Sequence, residues 1–503
     1  MSFDSQGSAP ITINYSDAGQ INLLASLNLP AVTGANPQPA YTLTGSSNSF
    51  VVKPASLAVT AATTTADGPN PGTTASGVGF VSAGTPFKVL VAARNSLGAI
   101  TPNFGREITP EIVNMTVASS VLNYPSGGTL SALTNTGTFS ATTPAGTYVN
   151  SGISWNQVGT IAIAPLLTDN DDYLGAGKID TYTSLPNVGR FYPDRYRLTS
   201  SSTTNGCGTF SYIGQPNIST SYVLQAESTT GAVLTNYGGN YGTAVSRALP
   251  SYAAENNNDG INLGSRFNLG ATATWVSGLM TVASTAASFN RQPVTFAPEG
   301  PFSAMQLGLS VTDAFDGRAL VARNMNAITT GTCTVDVNCT AATLGSTINL
   351  RYGRLRLDDA FGPESVKLPV TFLTEYWIGN RFVTNTSDSC TVIPRASITY
   401  PTGTLATDAN RTVALSTGST QGTYANINVS GVNFLSGTAG HEFTAPSTGG
   451  TGNFSVSINL AAMPWLCSDV NLDNNFSDTL LRANFGFGSY RGNDRVIYWR
   501  ERF

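Results

Sequence analysis

The residues best suited to chemistry form an acidic, amide-rich stretch near the end of the chain, DVNLDNNFSD. Oxygen-bearing side chains lie two residues apart at Asp469, Asn471 and Asp473, and alternate residues of a tight loop can converge on one Ca2+ ion. Asn475 and Asp478 are placed to complete the shell. The same stretch also suits a loop that is held by hydrogen bonds to its own backbone. It therefore predicts either a calcium loop or an Asx-turn loop, and calcium is the one candidate cofactor.

Five cysteines in a chain of this size indicate an oxidising compartment. Cys333 and Cys339 bracket the five residues TVDVN, a spacing that favours a disulfide closing a small loop at a hairpin tip. The alternative is two unpaired thiols in a mobile loop. Cys207, Cys390 and Cys467 then remain, so at most one further bridge forms and one thiol stays free.

The chain contains a single histidine, His441, and this restricts its chemistry. A Ser-His-Asp or Cys-His site would have to use it, yet its surroundings, GTAGHEFTAP, contain no nucleophile-elbow pattern. Zinc is disfavoured because there is no CxxC pair. No Gly-rich strand-loop-helix motif for phosphate occurs, and nothing selects a catalytic pair among the 29 acidic residues. We expect a protein that is not an enzyme.

The elements that must position these residues are strands. Segments such as TPFKVLVAAR, GTIAIAPLL and VKLPVTFLTEYW are rich in β-branched and aromatic residues, with Gly, Pro, Asn and Asp between them. In GRLRL, Leu355 and Leu357 would face a core while Arg354 and Arg356 face solvent. The pattern predicts an all-β fold of tandem immunoglobulin-like β-sandwich modules with very little helix. The one expected helical turn lies at DTLLRA, residues 478–483.

Three patterns of the first third recur in the same order in the second third. YSDAGQINL returns as WNQVGTIAI 140 residues later, KPASLAV as YPDRYRL after 139 residues and ARNSLGAITPNFG as AESTTGAVLTNYG after 133 residues. If the modules are duplicates, Gly98 and Gly231 should occupy the same turn. We place the closing strands of a truncated sandwich at residues 1–45, immunoglobulin-like sandwiches at 46–187 and 188–310, and a β-rich C-terminal domain with the Asp/Asn loop at 311–503.

Composition limits the class of partner. The 503 residues include only 11% charged residues and carry a net charge of −4, which argues against a nucleic-acid partner. The apolar stretches are too short for a membrane-spanning helix. The first residues, MSFDSQGSAP, contain no basic or apolar region, so we expect no signal peptide in this sequence.

Several segments carry a resemblance to a known family: VGRFYPDRY (Val188 to Tyr196), EGPFSAMQLGLSVTDAFDG (Glu299 to Gly317), LRYGRLRLDDAFGPE (Leu350 to Glu364) and FGSYRGNDRVIYWRERF (Phe487 to Phe503). The chain resembles the C-terminal region of MshQ-type proteins of MSHA-type (type IV) pilus biogenesis and related large secreted proteins of Gram-negative bacteria. Where that family tends to have an Asp-Trp-Asp-Gly-Asp-Gly loop, this chain has DVNLDN. The closing RVIYWRERF predicts a terminal strand.

The resemblance implies a non-enzymatic structural or adhesive protein on the outer surface of a Gram-negative cell, with pilus or other surface proteins as partners. The alternative is a carbohydrate-binding or carbohydrate-processing surface protein that recognises a glycan. Its candidate sugar-stacking residues are Tyr237, Tyr241, Trp377 and Trp465, unless these aromatics fill sandwich cores instead. Glycan binding with and without calcium would discriminate the two classes.

Overall fold

The computed structural model describes residues 4–119, 122–168, 172–239, 241, 248–313 and 315–488. In these ranges the chain is nearly all β and contains 36 strands. The prediction of an all-β fold of tandem β-sandwich modules is confirmed. Short 3-10 helices connect some strands, at Gly264–Arg266, Arg395–Ser397, Asp408–Arg411, Ser447–Gly449 and Pro464–Leu466.

The N-terminal segment forms two antiparallel pairs from β1 (Gly19–Ile21), β2 (Leu24–Leu29), β3 (Tyr41–Ser46) and β4 (Phe50–Val52). Every residue of β2 and β3 is exposed. Leu27 lies opposite Leu43 and Leu29 opposite Tyr41, so one face of this hairpin is apolar. Pairing of β1 with β4 carries the segment to Val52, past the expected boundary at residue 45.

The first core lies between two sheets. The strands are β5 (Ser56–Thr64), β6 (Phe87–Arg94), β7 (Val113–Val117), β8 (Ser140–Thr142), β9 (Thr147–Ile153), β10 (Gly159–Leu167), β11 (Thr181–Thr183) and β12 (Leu185–Phe191). One sheet has the order β11-β5-β6-β9-β8 and the other β12-β10-β7. Alternate side chains of β6 and β10 point inward and are buried. Trp155 packs edge-on against Phe191 in the centre of this core.

The two glycines chosen to test duplication occupy equivalent turns. Gly98 has φ 83° and donates its N–H to Asn95 O, and Gly231 has φ 81° and donates to Ser228 O. Both turns directly follow a central strand, β6 or β15 (Ile218–Glu227). This part of the duplication prediction is confirmed, and the left-handed backbone explains why glycine recurs there.

The second core also lies between two sheets. Besides β15, its strands are β13 (Arg195–Thr204), β14 (Ser211–Tyr212), β16 (Leu249–Asn256), β17 (Phe267–Asn268), β18 (Leu279–Phe289), β19 (Phe302–Thr312), β20 (Leu320–Val321), β21 (Ala342–Thr343) and β22 (Ile348–Arg351). The sheet orders are β17-β18-β15-β13-β20 and β14-β22-β19-β16, with β21 also on β19. The expected boundary at residue 310 falls inside β19, and the core continues to Tyr352 because β22 pairs with β19.

The third core contains the remaining strands, which form several small sheets. They are β23 (Gly353–Leu357), β24 (Ala360–Gly362), β25 (Leu368–Val370), β26 (Phe372–Trp377), β27 (Phe382–Thr384), β28 (Val392–Pro394), β29 (Ile398–Tyr400), β30 (Gly403–Thr404), β31 (Thr412–Ala414), β32 (Ser419–Tyr424), β33 (Gly431–Asn433), β34 (His441–Phe443), β35 (Gly452–Asn459) and β36 (Leu480–Phe487). The largest has the order β24-β36-β35-β29-β30.

Two C-terminal expectations have different outcomes. The helical turn expected at residues 478–483 is wrong, because residues from Leu480 onward form β36 and pair along the whole of β35. That pairing outweighs a weak local preference for helix. The predicted terminal strand RVIYWRERF lies outside the described residues.

Candidate functional site

The Asp/Asn loop is exposed and organised by its own carboxylates. Asp469 accepts the backbone N–H groups of residues 473 and 474 at 3.1 and 3.0 Å, and Asp478 accepts those of residues 470 and 471 at 2.6 and 3.0 Å. Asn471 donates its side-chain amide to Asp473 at 3.1 Å, and Asp473 also accepts the N–H of Asn475 at 2.8 Å. These are the contacts of an Asx-turn loop.

Within the described part of the chain, Asp469, Asp473 and Asp478 do not form a cluster in which one oxygen of each carboxylate lies within 4.8 Å of both others. Each already accepts backbone N–H groups, although a carboxylate has further lone pairs for a cation. Calcium binding by Asp469, Asn471, Asp473, Asn475 and Asp478 stays a prediction.

The structure pairs four of the five cysteines. Cys333 and Cys339 form a disulfide that closes the small loop, and Val335 and Val337 are exposed within it. A second disulfide joins Cys207 to Cys390, 183 residues apart. It connects the segment between β13 and β14 to the third core.

The remaining thiol, Cys467, is buried, and burial raises its pKa. A buried thiol with a raised pKa is a poor nucleophile, so the geometry favours a structural role for Cys467.

A fully buried carboxylate, Asp388, anchors the Cys207–Cys390 disulfide. It accepts hydrogen bonds from the Tyr212 hydroxyl at 2.8 Å and from the Thr391 N–H and hydroxyl at 2.9 and 2.7 Å. Burial and this negative charge raise the pKa of Tyr212 well above its usual range. The sulfurs of Cys207 and Cys390 are bonded to each other. The disulfide is therefore a covalent link between two segments, and its sulfurs are not thiolate ligands for a metal.

The four aromatics proposed for sugar stacking separate into two classes. Tyr237 and Tyr241 are fully buried in the second core and are not available to a glycan. Trp377 is half-buried and packs edge-on against Phe382 with ring centroids 5.2 Å apart. Trp465 is half-buried and borders a cleft large enough for a small ligand.

That cleft lies at the junction of the second and third cores and has a volume of about 440 Å³. Pro293 and Phe296 line it from the side of the second core, and Pro464, Trp465 and Phe476 line it from the side of the third core. The Asp/Asn loop begins and ends at its rim, since Cys467 and Ser477 are also lining residues. The volume and apolar walls are typical of a small-molecule site.

Arg291 forms the floor of the cleft and crosses the junction. Its side chain donates to the Tyr352 hydroxyl at 2.8 Å and to the backbone carbonyls of residues 353, 465, 467 and 476 at 2.6–3.2 Å. The guanidinium also stacks 3.9 Å above the Tyr352 ring. Burial lowers the pKa of Arg291. These bonds stabilise its charge with carbonyl dipoles rather than with a carboxylate.

A second buried arginine crosses the junction of the first and second cores. Arg190, on β12, is fully buried and forms a two-pronged salt bridge with Asp316, whose side chain is 4% exposed. It also donates to the Tyr241 hydroxyl at 2.9 Å and to Gly77 O at 3.0 Å. Such a bidentate pair fixes orientation as well as distance.

Sequence reasoning found neither Arg190 nor Arg291. A usable signal exists for both. Charged residues are only 11% of the chain, and each arginine sits beside aromatic strand residues, in GRF and in FNRQ. A charge placed where the strand pattern demands an apolar residue indicates a buried, partnered group.

Comparisons with known proteins are informative for the family and weak for structure. Three segments of the chain match models of DUF6701 domains. Residues 53–151 match the second domain of that family, residues 157–340 the third and residues 351–502 the fourth. No curated protein matches this sequence. None of the helices in the described part of the chain is long and apolar enough to span a membrane.

Solved structures are only distantly similar. The adhesin InvE of Yersinia pseudotuberculosis is 14% identical over 52% of this chain and 55% of its own length, with a TM-score of 0.22. The titin I9–I11 tandem is 6% identical over 81% of this chain and 94% of its own, with a TM-score of 0.20. Dimeric latent PorU from Porphyromonas gingivalis is 12% identical over 90% of this chain and 35% of its own length, with a TM-score of 0.18. The chain thus spans about half the InvE structure, and none of these similarities informs function.

The family matches follow one another in order and cover most of the sequence, with boundaries close to the three cores. The chain therefore belongs to the DUF6701 family, a four-domain family of unknown function, and carries its second, third and fourth domains.

Proposed function

We propose that this chain is a non-enzymatic extracellular protein with a structural or adhesive role on the surface of a Gram-negative bacterium, in association with MSHA-like type IV pilus machinery. Pilus components or other cell-surface proteins are its proposed partners. The link to pili rests on the resemblance of its sequence segments, and the mechanical part of the proposal rests on the domain junctions.

The observation that carries the proposal is that both junctions are tied by buried groups. Arg190 bonds Asp316 across the first junction, and Arg291 bonds four backbone carbonyls across the second. The Cys207–Cys390 disulfide adds a covalent tie at the second. Flexible inter-domain contacts are the usual expectation in multidomain chains. Junctions fixed in this way suit a protein that must transmit force or hold a binding surface away from the cell.

The proposal is tested in a bacterium that carries the gene. Antibodies against the chain should label intact cells, and deletion of the gene should reduce attachment to a surface while cell growth is unchanged. Complementation with the Asp316→Asn variant, which weakens the first junction, should restore less attachment than the parent. Labelling that appears only after cell lysis, or unchanged attachment in the deletion strain, would contradict the proposal.

A second candidate function is carbohydrate binding in the cleft beside Trp465. The favouring observation is its volume of about 440 Å³ with apolar walls from both domains. A glycan array probed with the parent chain and with Trp465→Ala, each with Ca2+ and with EDTA, tests it. Binding that disappears in the variant supports recognition in this cleft, and an array without any bound glycan excludes the sugars presented.

A further inference from the structure

A separate cavity beside the second core, of about 250 Å³, is lined mainly by oxygen-bearing side chains. Glu255 at the end of β16 lies directly opposite Gln306 on β19 and borders this cavity. Asn257 and Asn258, in the turn that follows β16, line it as well. Thr332 contributes from the segment that leads into the Cys333–Cys339 disulfide. None of the described lining residues is a lysine or arginine.

Glu255 is the unusual member of this group. It is 2% exposed, and its Oε2 atom has no hydrogen-bond partner among the described residues. Burial raises its pKa, while the backbone N–H of Gly260 lowers it. An ionised carboxylate that is buried without a cation or sufficient donors is costly. The site therefore lacks a positive charge that would satisfy Glu255.

The surrounding geometry supplies neutral oxygens for such a charge. Gln306 donates its amide nitrogen to Leu307 O at 3.0 Å, so its amide oxygen is the group that can coordinate. Asn257 and Asn258 adopt left-handed backbone conformations, with φ 56° and 53°. Asn258 O accepts the N–H of Gly331 at 3.0 Å, which connects the turn to the disulfide loop.

We propose that this cavity binds Ca2+, with Glu255 as the charged ligand and Gln306, Asn257 and Asn258 among the neutral oxygen ligands. Ca2+ accepts irregular shells of carboxylate, amide and water oxygens at about 2.3–2.6 Å, whereas Mg2+ demands a near-ideal octahedron. Bound Ca2+ joins β16, β19 and the segment before Cys333, and so stabilises the disulfide loop.

Calorimetric titration of the metal-free full chain with CaCl2 tests the proposal. The parent should show a binding event that Glu255→Gln weakens at least tenfold, because the substitution keeps the shape and removes the charge. The Asp469→Asn/Asp473→Asn variant is the matched control and should retain this event, which separates the cavity from the exposed loop. Absence of Ca2+ binding by the parent, or equal affinity in Glu255→Gln, would overturn the proposal.

A second measurement, the rate of tryptic cleavage with and without Ca2+, shows whether a variant that loses Ca2+ binding has merely misfolded. Ca2+ should slow tryptic cleavage after Arg323 at least severalfold in the parent and in the loop variant, because Arg323 lies in the segment that the ion immobilises. Gln306→Leu preserves volume and should weaken the protection. If Gln306→Leu and Glu255→Gln are protected as well as the parent, the ion does not bind in this cavity.

Discussion

The two domain junctions use the same residue type in opposite electrostatic settings. At the first, the fully buried Arg190 meets a carboxylate, Asp316. At the second, Arg291 meets a phenol and four backbone carbonyls, and a cleft of about 440 Å³ lies beside it. The second junction also has the Cys207–Cys390 disulfide.

The difference indicates how each junction should fail. A buried ion pair leaves an uncompensated charge when one partner is removed, and that is strongly destabilising. A guanidinium held by carbonyls leaves only neutral dipoles, which water from an adjoining cleft can solvate. The stability of the first junction should therefore fall sharply when one of its charges is removed. The stability of the second should depend more on the Cys207–Cys390 disulfide.

The largest effect should come from removing that tie. Replacing Cys207 and Cys390 by Ala opens a loop of 183 residues, and the chain-entropy argument assigns roughly 5 kcal/mol to such a bridge. Urea titration followed by hydrogen exchange should show the loss in the third core. Replacing Cys333 and Cys339 by Ala is the control, because its separation of 6 residues predicts only about 2 kcal/mol. Equal losses in the two variants would contradict the entropic account.

The first junction is best broken at its carboxylate. Asp316→Asn should destabilise the sandwiches of the first and second cores by about 3–5 kcal/mol, because Arg190 is then buried without its counter-charge. The measurement is the free energy of unfolding from urea titration. Asp358→Asn, which removes a partly exposed partner of the exposed Arg356, should cost about 0–1 kcal/mol. A small loss for Asp316→Asn would mean that the two junctions do not differ in kind.

The sequence carried the information for the strands and almost none for these junctions. Alternation in β6 and β10 is a local property, and the turns at Gly98 and Gly231 recur because both need a left-handed residue. Pairing of β22 with β19, by contrast, joins segments with no counterpart among the repeated patterns, so the boundary at residue 310 was misplaced. Arg291 contacts residues about 60 to 185 positions away, a range that periodicity does not reach.

Acid should distinguish the third core from the other two, since it contains the single histidine. His441 is buried against the Tyr424 ring and donates from Nδ1 to Thr423 O at 2.8 Å, and burial lowers its pKa to about 4. Folding thus favours neutral imidazole, so its contribution is complete above pH 6.5 and is lost as pH falls from 6.5 towards 4.

This loss should amount to a few kcal/mol, at 1.36 kcal/mol per unit of pKa shift. The measurement is the free energy of unfolding of the third core at pH 7 and pH 4.5. His441→Asn keeps a donor near Thr423 and should flatten the pH dependence in this window. An identical slope in the variant would assign the acid sensitivity to carboxylates instead.

The smallest effect should follow from Arg291→Met, which tests the second junction most directly. Met retains much of the apolar stem, and four carbonyls lose a donor at the edge of a cleft that admits water, so we expect a loss of about 2 kcal/mol. The disulfide should keep the domains attached, and hydrogen exchange should rise at residues 465–476 and 353. Arg291→Lys is the sharper control: it keeps the charge but loses the planar fork that reaches several carbonyls at once. If Arg291→Lys is as stable as the parent, the positive charge alone stabilises the junction. If Arg291→Lys is as destabilised as Arg291→Met, the planar fork of the guanidinium is the stabilising feature, and Arg291 differs in this from Arg190.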